Sequence, residues 1–130
     1  MTTSPKCLIV QPIHQIGIEV LRRAGITPIL CPDPSPETVL QMISGCFAVI
    51  TRDAGLNAEA IAASGALRVI AVHGTGHDTV DKSAAMAAGT IICTTPGANA
   101  RSVAELTLGL SLALARRIPA ADRAVRDNET

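Results

Sequence analysis

The sequence predicts an α/β fold in which a doubly wound, parallel sheet of five strands is covered by helices on both faces. Short apolar runs alternate with helical patterns along the chain, and a glycine stands at or just beyond the end of each of four helices. The apolar runs are continuous rather than alternating, which is typical of strands covered on both faces. Helices between such strands imply right-handed crossovers and therefore a parallel sheet.

The elements follow in a regular order. The predicted strands are Cys7–Val10, Pro28–Leu30, Phe47–Ile50, Val69–Val72 and Thr90–Cys93. The predicted helices between them are Ile16–Ala24, Pro36–Ile43, Ala58–Ser64 and Val80–Ala88. The first helix places Ile16, Val20 and Leu21 on one side, which predicts an apolar face. The glycines that suit left-handed helix caps are Gly25, Gly45, Gly65 and Gly89.

The alternation stops after the fifth strand. The loop TTPGANA leads to a helix that we predict to begin at Ser102, with Glu105 completing a capping box. This helix is apolar nearly all round through Leu114 and ends at Arg116 and Arg117, so we expect both of its flanks to be buried. Its cover would be a missing domain or a second subunit.

Composition excludes several classes of function. The chain has 130 residues, 48% of them apolar, with 11 basic and 11 acidic side chains, one Phe and no Trp or Tyr. Without a basic stripe or a stacking platform, binding to nucleic acid is not expected. The apolar segment Val103–Ala115 is shorter than the roughly 20 residues of a membrane span, and no signal peptide is recognised, so no membrane association is expected.

The four cysteines favour a reduced, cytoplasmic setting. They show no CxxC spacing and no histidine at zinc spacing, so no metal site is predicted. Cys7, Cys46 and Cys93 stand in or beside apolar runs, as small core residues do, and Cys31 is the fourth. A disulfide framework is the alternative.

The glycine turn GTGHDT at Gly74–Thr79 has three interpretations. It follows a strand like a dinucleotide fingerprint, but the third glycine is replaced by Thr79 and no acidic residue stands about 20 positions later. It could be a tight turn that needs positive φ. It could also offer bare backbone N–H groups to a small anion, with the hydroxyl of Thr75 as a further donor.

Charged and titratable side chains stand beside the turn. Arg52 follows the third strand directly and would either bind a carboxylate in the same cleft or lie solvated and paired with Asp53. His73 and His77 flank the glycines. As acid–base groups they would need a carboxylate partner, so we interpret them as polar loop residues.

Three segments resemble the D-isomer-specific 2-hydroxyacid dehydrogenases, most of all their D-3-phosphoglycerate dehydrogenase branch. They are HGTGHDTVD (73–81), AAGTIICTTPGANARSVAEL (87–106) and LALARRIPAADRAVR (112–126). The resemblance implies a flavodoxin-like substrate domain, here residues 1–98, followed by a linker and the first helices of a Rossmann domain, here residues 99–130. It implies an NAD- or NADP-dependent oxidoreductase acting on the CH–OH group of a D-2-hydroxy acid, such as phosphoglycerate, or reducing hydroxypyruvate or glyoxylate.

The resemblance also assigns residues. Gly74, Thr75 and Gly76 become the substrate turn, with Thr75 also near the cofactor and with Ser102 and Val103 beside the nicotinamide. The helix Ser102–Arg117 becomes a homodimer interface. Arg52 is the candidate for the family's substrate arginine, which usually stands one residue earlier, at the position of Thr51 here.

The glycine fingerprint and the catalytic Arg, Glu and His of the family are absent from the 130 residues. We therefore expect the cofactor to be bound mainly by an absent domain, no catalytic residue within the chain, and no turnover from the chain alone. The alternative is a stand-alone, non-catalytic protein of the same fold that binds a small acid or pairs with another subunit.

Overall fold

The computed structural model describes residues 4–127, and the chain divides into two compact units, one up to Pro96 and one from Gly97. The first unit holds the sheet. Its strands are β1 (Lys6–Ile9), β2 (Thr27–Leu30), β3 (Cys46–Thr51), β4 (Val69–Val72) and β5 (Ile91–Cys93). Its helices are α1 (Gln15–Arg23), α2 (Pro36–Met42), α3 (Ala58–Ser64) and α4 (Lys82–Ala87).

The predicted doubly wound sheet is confirmed. All strand pairs are parallel, and the spatial order is β2-β1-β3-β4-β5, the flavodoxin-like order. The chain moves outward from β1 to β2, returns past β1 to β3, and then continues to β4 and β5. The carboxyl ends of the strands therefore share one edge of the sheet, and the loops after β1, β3 and β4 meet there.

The core lies around the three central strands. Leu8, Val49 and Ile70, one from each of these strands, have no exposed surface. The edge strands differ from the prediction, because Leu30 on β2 and Ile91 on β5 are 58% and 65% exposed. An edge strand has a neighbour on one side only, so an apolar run at the edge is covered incompletely.

The predicted apolar face of α1 is not the face that is buried. Ile18 is the buried residue of this helix, whereas Ile16 and Val20 are 63% and 57% exposed. Residues two apart in a helix point about 200° away from each other, so a helix that packs through Ile18 turns both of its neighbours outward. The predicted left-handed caps are confirmed, since all four of the glycines have positive φ: Gly25, Gly45, Gly65 and Gly89.

The second unit consists of α5 (Ala100–Ala115) and α6 (Ile118–Arg126). The predicted capping box is wrong: α5 begins two residues before Ser102, its N-cap Asn99 makes no side-chain hydrogen bond, and Glu105 instead accepts from Arg101 Nε at 2.8 Å. None of the α5 residues is buried, so the described part of the chain does not cover the flanks of this helix as the sequence predicted. Among the helices within residues 4–127, none is long and apolar enough to cross a membrane.

Candidate functional site

An open cavity of about 510 Å³ lies at the carboxyl ends of β3 and β4. The loops that follow these two strands form it. Its lining residues are Arg52, Asp53, Val72, His73, Gly74, Gly76, Asp78 and Thr79. The structure thus brings together three of the residues that the sequence selected from two separate loops: Arg52, Gly74 and Gly76.

The glycines of the turn are not required by the fold. Gly74 and Gly76 both lack positive φ, so the interpretation as a tight turn that needs left-handed backbone is wrong. A Cβ added to either residue would meet no atom within 4 Å. Neither backbone conformation nor neighbouring protein atoms explains why side chains are missing at these two cavity-lining positions. Open space beside a bare backbone suits close approach by a ligand.

The backbone of the turn offers hydrogen-bond donors. Its first residue is fixed, because Gly74 N donates to Val72 O at 2.8 Å and Gly74 O accepts from Thr95 N at 2.9 Å. Within residues 4–127, no protein acceptor is found for the N–H groups of Thr75, Gly76 and His77. Within this range, these three consecutive N–H groups remain available to donate hydrogen bonds to an anion.

Thr75 stands slightly apart from the cavity. Its hydroxyl lies 3.5 Å from Thr95 O, at the limit of a hydrogen bond, so this side chain bridges the glycine turn and the segment after β5. Ser102 and Val103, the other predicted cofactor contacts, lie in the first turn of α5 in the second unit, and both are exposed.

The helix that follows the glycine turn, α4, rules out the interpretation of this turn as a pyrophosphate-binding fingerprint. Asp81 is the N-cap of α4, and its Oδ1 accepts from Ala84 N at 2.8 Å. A carboxylate therefore occupies the helix N-terminus at which a dinucleotide phosphate would have to bind. Thr79, at the position of the third glycine, uses its carbonyl to accept from Leu56 N at 3.1 Å. This loop and helix do not fit the pyrophosphate of a dinucleotide.

Arg52, rather than Thr51, faces the cavity. Thr51 is fully buried, and its hydroxyl donates to Gly55 O at 2.9 Å. Arg52 follows with an exposed side chain whose Nη1 donates to Pro12 O at 3.3 Å. The alternative pairing of Arg52 with Asp53 is wrong for the described residues, which contain no ion pair between the two.

Gln11 is a residue of this site that the sequence analysis did not select. Its Oε1 accepts from Arg52 N and from Ala54 N, both at 3.0 Å, and its Nε2 donates to Asp53 Oδ1 at 2.7 Å. The hydrogen bond from Gln11 is the main reason why the pKa of Asp53 is lowered. Gln11 lies just beyond β1, as Arg52 lies just beyond β3. Since β1 and β3 are parallel neighbours, that shared position is the signal that could have identified it.

The loops after β3 and β4 are joined to each other. Leu56 and Val80 form an isolated parallel bridge, supported by hydrogen bonds from Leu56 N to Thr79 O at 3.1 Å and from Asp81 N to Leu56 O at 2.9 Å. Gly55, with φ of 72°, permits this approach, because a Cβ there would collide with the Thr79 backbone. The connection fixes the loop of Arg52 relative to the loop of the glycine turn.

The histidines form no catalytic pair within the described residues. His73 lines the cavity, but neither His73 nor His77 is hydrogen-bonded to a carboxylate there. Asp78 pairs instead with Lys82, at 3.1 Å. The interpretation of the histidines as polar loop residues agrees with this geometry.

None of the four cysteines is among the residues that line the cavity. All four cysteines are free thiols, and burial raises the pKa of Cys7 to about 11. Cys7 and Cys46 are buried as predicted, whereas Cys93 is exposed, because it ends the edge strand β5. In the described part of the chain, no group of three or more His, Cys, Asp and Glu side chains is placed to hold a metal ion.

Comparison with known proteins gives a consistent result. The family model described as D-isomer specific 2-hydroxyacid dehydrogenase, catalytic domain, matches residues 7–128. The D-3-phosphoglycerate dehydrogenase of Archaeoglobus fulgidus is 33% identical over 125 residues, which are 95% of this chain and 24% of that protein. The D-3-phosphoglycerate dehydrogenase of Mycobacterium bovis is 38% identical over 96 residues, which are 73% of this chain and 18% of that protein.

Solved structures resemble the chain over a similar range. The TT0316 protein from Thermus thermophilus has a TM-score of 0.87 at 28% identity, over 94% of this chain and 40% of that one. The NAD⁺-bound 3-phosphoglycerate dehydrogenase of Entamoeba histolytica has a TM-score of 0.75 at 26% identity, over 85% of this chain and 39% of that one. The chain therefore spans about a quarter of the length of the Archaeoglobus relative and about two fifths of these solved proteins.

Proposed function

The chain belongs to the D-isomer specific 2-hydroxyacid dehydrogenase family, and on that premise we propose that it supplies the carboxylate-binding part of a substrate site. The reaction would be the NAD(P)-dependent oxidation of the CH–OH group of a small D-2-hydroxy acid, or its reverse on the 2-oxo acid. The observation that carries the proposal is the row of unpartnered N–H groups at Thr75, Gly76 and His77 within the described residues, beside two glycines that the fold itself does not need.

The chemistry of the cavity suits a carboxylate. One carboxylate oxygen would accept from the backbone N–H groups of Thr75 and Gly76 in the glycine turn, and the other would accept from the guanidinium of Arg52. Hydrogen bonds from charged donors are about twice as strong as neutral ones, and a guanidinium matches the planar carboxylate in shape. Holding the carboxylate at two points would fix the orientation of the adjacent carbinol carbon.

The substrate is proposed to resemble those of the named relatives, D-3-phosphoglycerate first, with hydroxypyruvate and glyoxylate as further members of the class. This rests on the family and on the carboxylate that all of these acids share. No residue of the chain is proposed as the acid–base catalyst, because the histidines of the turn lack carboxylate partners within the described residues.

NAD or NADP is proposed to bind mainly to protein outside this chain, because Asp81 occupies the helix N-terminus that a pyrophosphate would need. When bound, the nicotinamide supplies the hydride transfer. Contacts of Thr75, Ser102 and Val103 with the nicotinamide end are part of the proposal. The chain alone is expected to show no turnover of D-glycerate with NAD⁺, whereas clear turnover would contradict this division of roles.

A titration followed by NMR tests the carboxylate site. D-Glycerate and 3-phospho-D-glycerate, added separately to the ¹⁵N-labelled chain, should shift the amide signals of Thr75, Gly76 and His77. Gly76→Ala should weaken binding about tenfold or more, equivalent to about 1.4 kcal/mol, because the methyl group would occupy the ligand's space. Its stability should change little, since a Cβ at this position meets no atom within 4 Å.

Gly109→Ala is the matched control for this titration. Gly109 lies in α5, and a Cβ there also meets no atom within 4 Å, so the substitution should leave binding unchanged. Equal affinity of Gly76→Ala and the parent chain, or shifts that avoid the glycine turn, would refute the site. A larger response to 3-phospho-D-glycerate than to D-glycerate would support the phosphoglycerate-like substrate.

The second unit is proposed to pair two copies of the chain. The large apolar side chains of α5 are each more than half exposed: Val103, Leu106, Leu108, Leu110, Leu112 and Leu114. An exposed apolar patch of this kind marks an interaction surface. Helix α5, which corresponds to the predicted helix Ser102–Arg117, is therefore the proposed homodimer interface. The same patch is also consistent with the alternative, a non-catalytic protein that pairs with another subunit. Turnover in the presence of a cofactor-binding partner would favour the dehydrogenase, and its absence would favour the non-catalytic protein.

A further inference from the structure

We propose that Gln11 is a positioning residue for the carboxylate site, and that it keeps Arg52 available to the substrate by holding Asp53. This inference rests on the proposed function. It concerns a side chain from a third loop, the one after β1, whose role follows from contacts across 41 to 43 positions of sequence.

The hydrogen bonds require an amide at this position. Two backbone donors, Arg52 N and Ala54 N, face one end of the Gln11 side chain, so that end must be an oxygen. A carboxylate oxygen of Asp53 faces the other end at 2.7 Å, so that end must be a donor. Asparagine would be too short by one methylene, and glutamate would lack the donor. Glutamine alone among the common side chains of this length offers both.

The contact has an electrostatic consequence for the cavity. Asp53 and Arg52 are adjacent and both line it, so the carboxylate is an intramolecular competitor for the guanidinium that a substrate carboxylate needs. Gln11 occupies Asp53 Oδ1, and Arg52 Nη1 binds Pro12 O at 3.3 Å instead. The pKa of Asp53 is lowered first by the Gln11 hydrogen bond and least by the charge of Arg52. Without the amide, Asp53 Oδ1 would lose its hydrogen-bond partner and would be free to pair with the adjacent guanidinium of Arg52.

The same side chain also shapes the loop. By accepting from residues 52 and 54, Gln11 Oε1 draws two N–H groups of the loop after β3 toward the end of β1. Both groups belong to the segment that carries the guanidinium into the cavity. Loss of Gln11 would thus release the loop and the competing carboxylate together.

Three variants of the full chain test the proposal in the D-glycerate titration. Gln11→Ala removes all three hydrogen bonds and should weaken binding about fivefold to tenfold, as the binding-competent arrangement becomes a minor population. Gln11→Glu keeps the acceptors but faces Asp53 with a second carboxylate, and it should weaken binding more. The double variant Gln11→Glu/Asp53→Asn reverses the hydrogen bond, with the amide at 53 donating to the carboxylate at 11. It should recover the parent affinity to within about twofold.

Gln41→Glu is the control for added charge, since Gln41 is exposed on α2, away from the cavity. If Gln11→Glu binds D-glycerate as tightly as Gln41→Glu, or if the double variant fails to recover, the role of Gln11 is refuted while the carboxylate site stands. If the parent chain itself shows no shifts at residues 75–77, the proposed function fails, and this inference fails with it. A merely structural role would lower the melting temperature of Gln11→Glu without recovery of affinity in the double variant.

Discussion

Gly55→Ala is the substitution whose effect on the free energy of unfolding follows most directly from the structure. Gly55 has φ of 72°, a conformation that an L side chain rarely adopts, and an added Cβ would collide with the carbonyl oxygen, carbonyl carbon and Cβ of Thr79. The collision is with backbone atoms of the next loop, so no side-chain rotation can relieve it. The two loops of the cavity must move apart.

The loss of stability has two sources, the strained backbone at position 55 and the hydrogen bonds that break between the two loops. Placing alanine at positive φ costs about 1 kcal/mol. Moving the loops apart breaks the hydrogen bonds from Leu56 N to Thr79 O and from Asp81 N to Leu56 O, at 3.1 and 2.9 Å. Each is worth about 1 kcal/mol net. Gly55→Ala should therefore lower the free energy of unfolding by about 3 kcal/mol, a large share of the stability of a small domain.

Urea unfolding at equilibrium measures this, and Gly65→Ala is the matched control. Gly65 also has positive φ, 64°, but a Cβ there meets no atom within 4 Å. Gly65→Ala should lower the free energy of unfolding only by the cost of placing alanine at positive φ, about 1 kcal/mol. The effect of alanine on the unfolded chain is the same in both variants and cancels in the comparison. If the two variants have equal free energies of unfolding, the bridge between the loops contributes nothing and the reasoning is refuted.

Two further predictions concern other parts of the chain. Hydrogen bonds from Ser35 and Thr38 lower the pKa of Asp33, so its contribution to stability is present above the unfolded pKa of about 3.9 and is lost as pH falls through the lower folded value. Asp33→Asn should be less stable than the parent at pH 7 in thermal unfolding, with the difference vanishing at low pH; a difference that persists below both pKa values would contradict this. Leu110→Asp in α5 should convert a sedimenting dimer to a monomer, whereas Leu30→Asp, at a comparably exposed leucine of β2, should leave the dimer intact.

The order of the elements could be predicted from the sequence because it depends on local patterns. Val69–Val72 and Ala58–Ser64 are predicted to the residue, and every other predicted end lies within two positions of the observed one. The start of α5 was missed, because a Ser-x-x-Glu spacing does not by itself fix where a helix begins. Arg101 pairs with Glu105 across one helical turn, and that contact removes Glu105 from the predicted capping box.

Which face of a helix is buried, and which polar side chains meet, depend on the tertiary fold. The apolar spacing of α1 contains both Ile16 and Ile18, and the sheet that selects Ile18 is built from residues elsewhere in the chain. Arg52 could be predicted because it directly follows β3, and the glycines could be predicted because they lie in the loop that follows β4. Gln11 also follows a strand, so its position could have been noticed, but its role could not be predicted because an uncharged amide indicates no particular chemistry until its partners are known.

The placement of the arginine in this chain ties these features together. Thr51 is the last residue of β3 and is buried, whereas Arg52 is the first residue after the strand and is exposed beside the cavity. Thr51 takes the buried position, where its hydroxyl is satisfied by Gly55 O, and the guanidinium reaches the cavity from position 52. That arrangement puts the arginine directly beside Asp53, a carboxylate able to neutralise it. The amide of Gln11 removes the conflict by binding the carboxylate and the loop backbone at once. An arginine at position 52 and a glutamine at position 11 are therefore expected to act as one unit, so removing Gln11 should weaken substrate binding less in an Arg52→Ala background than in the parent chain.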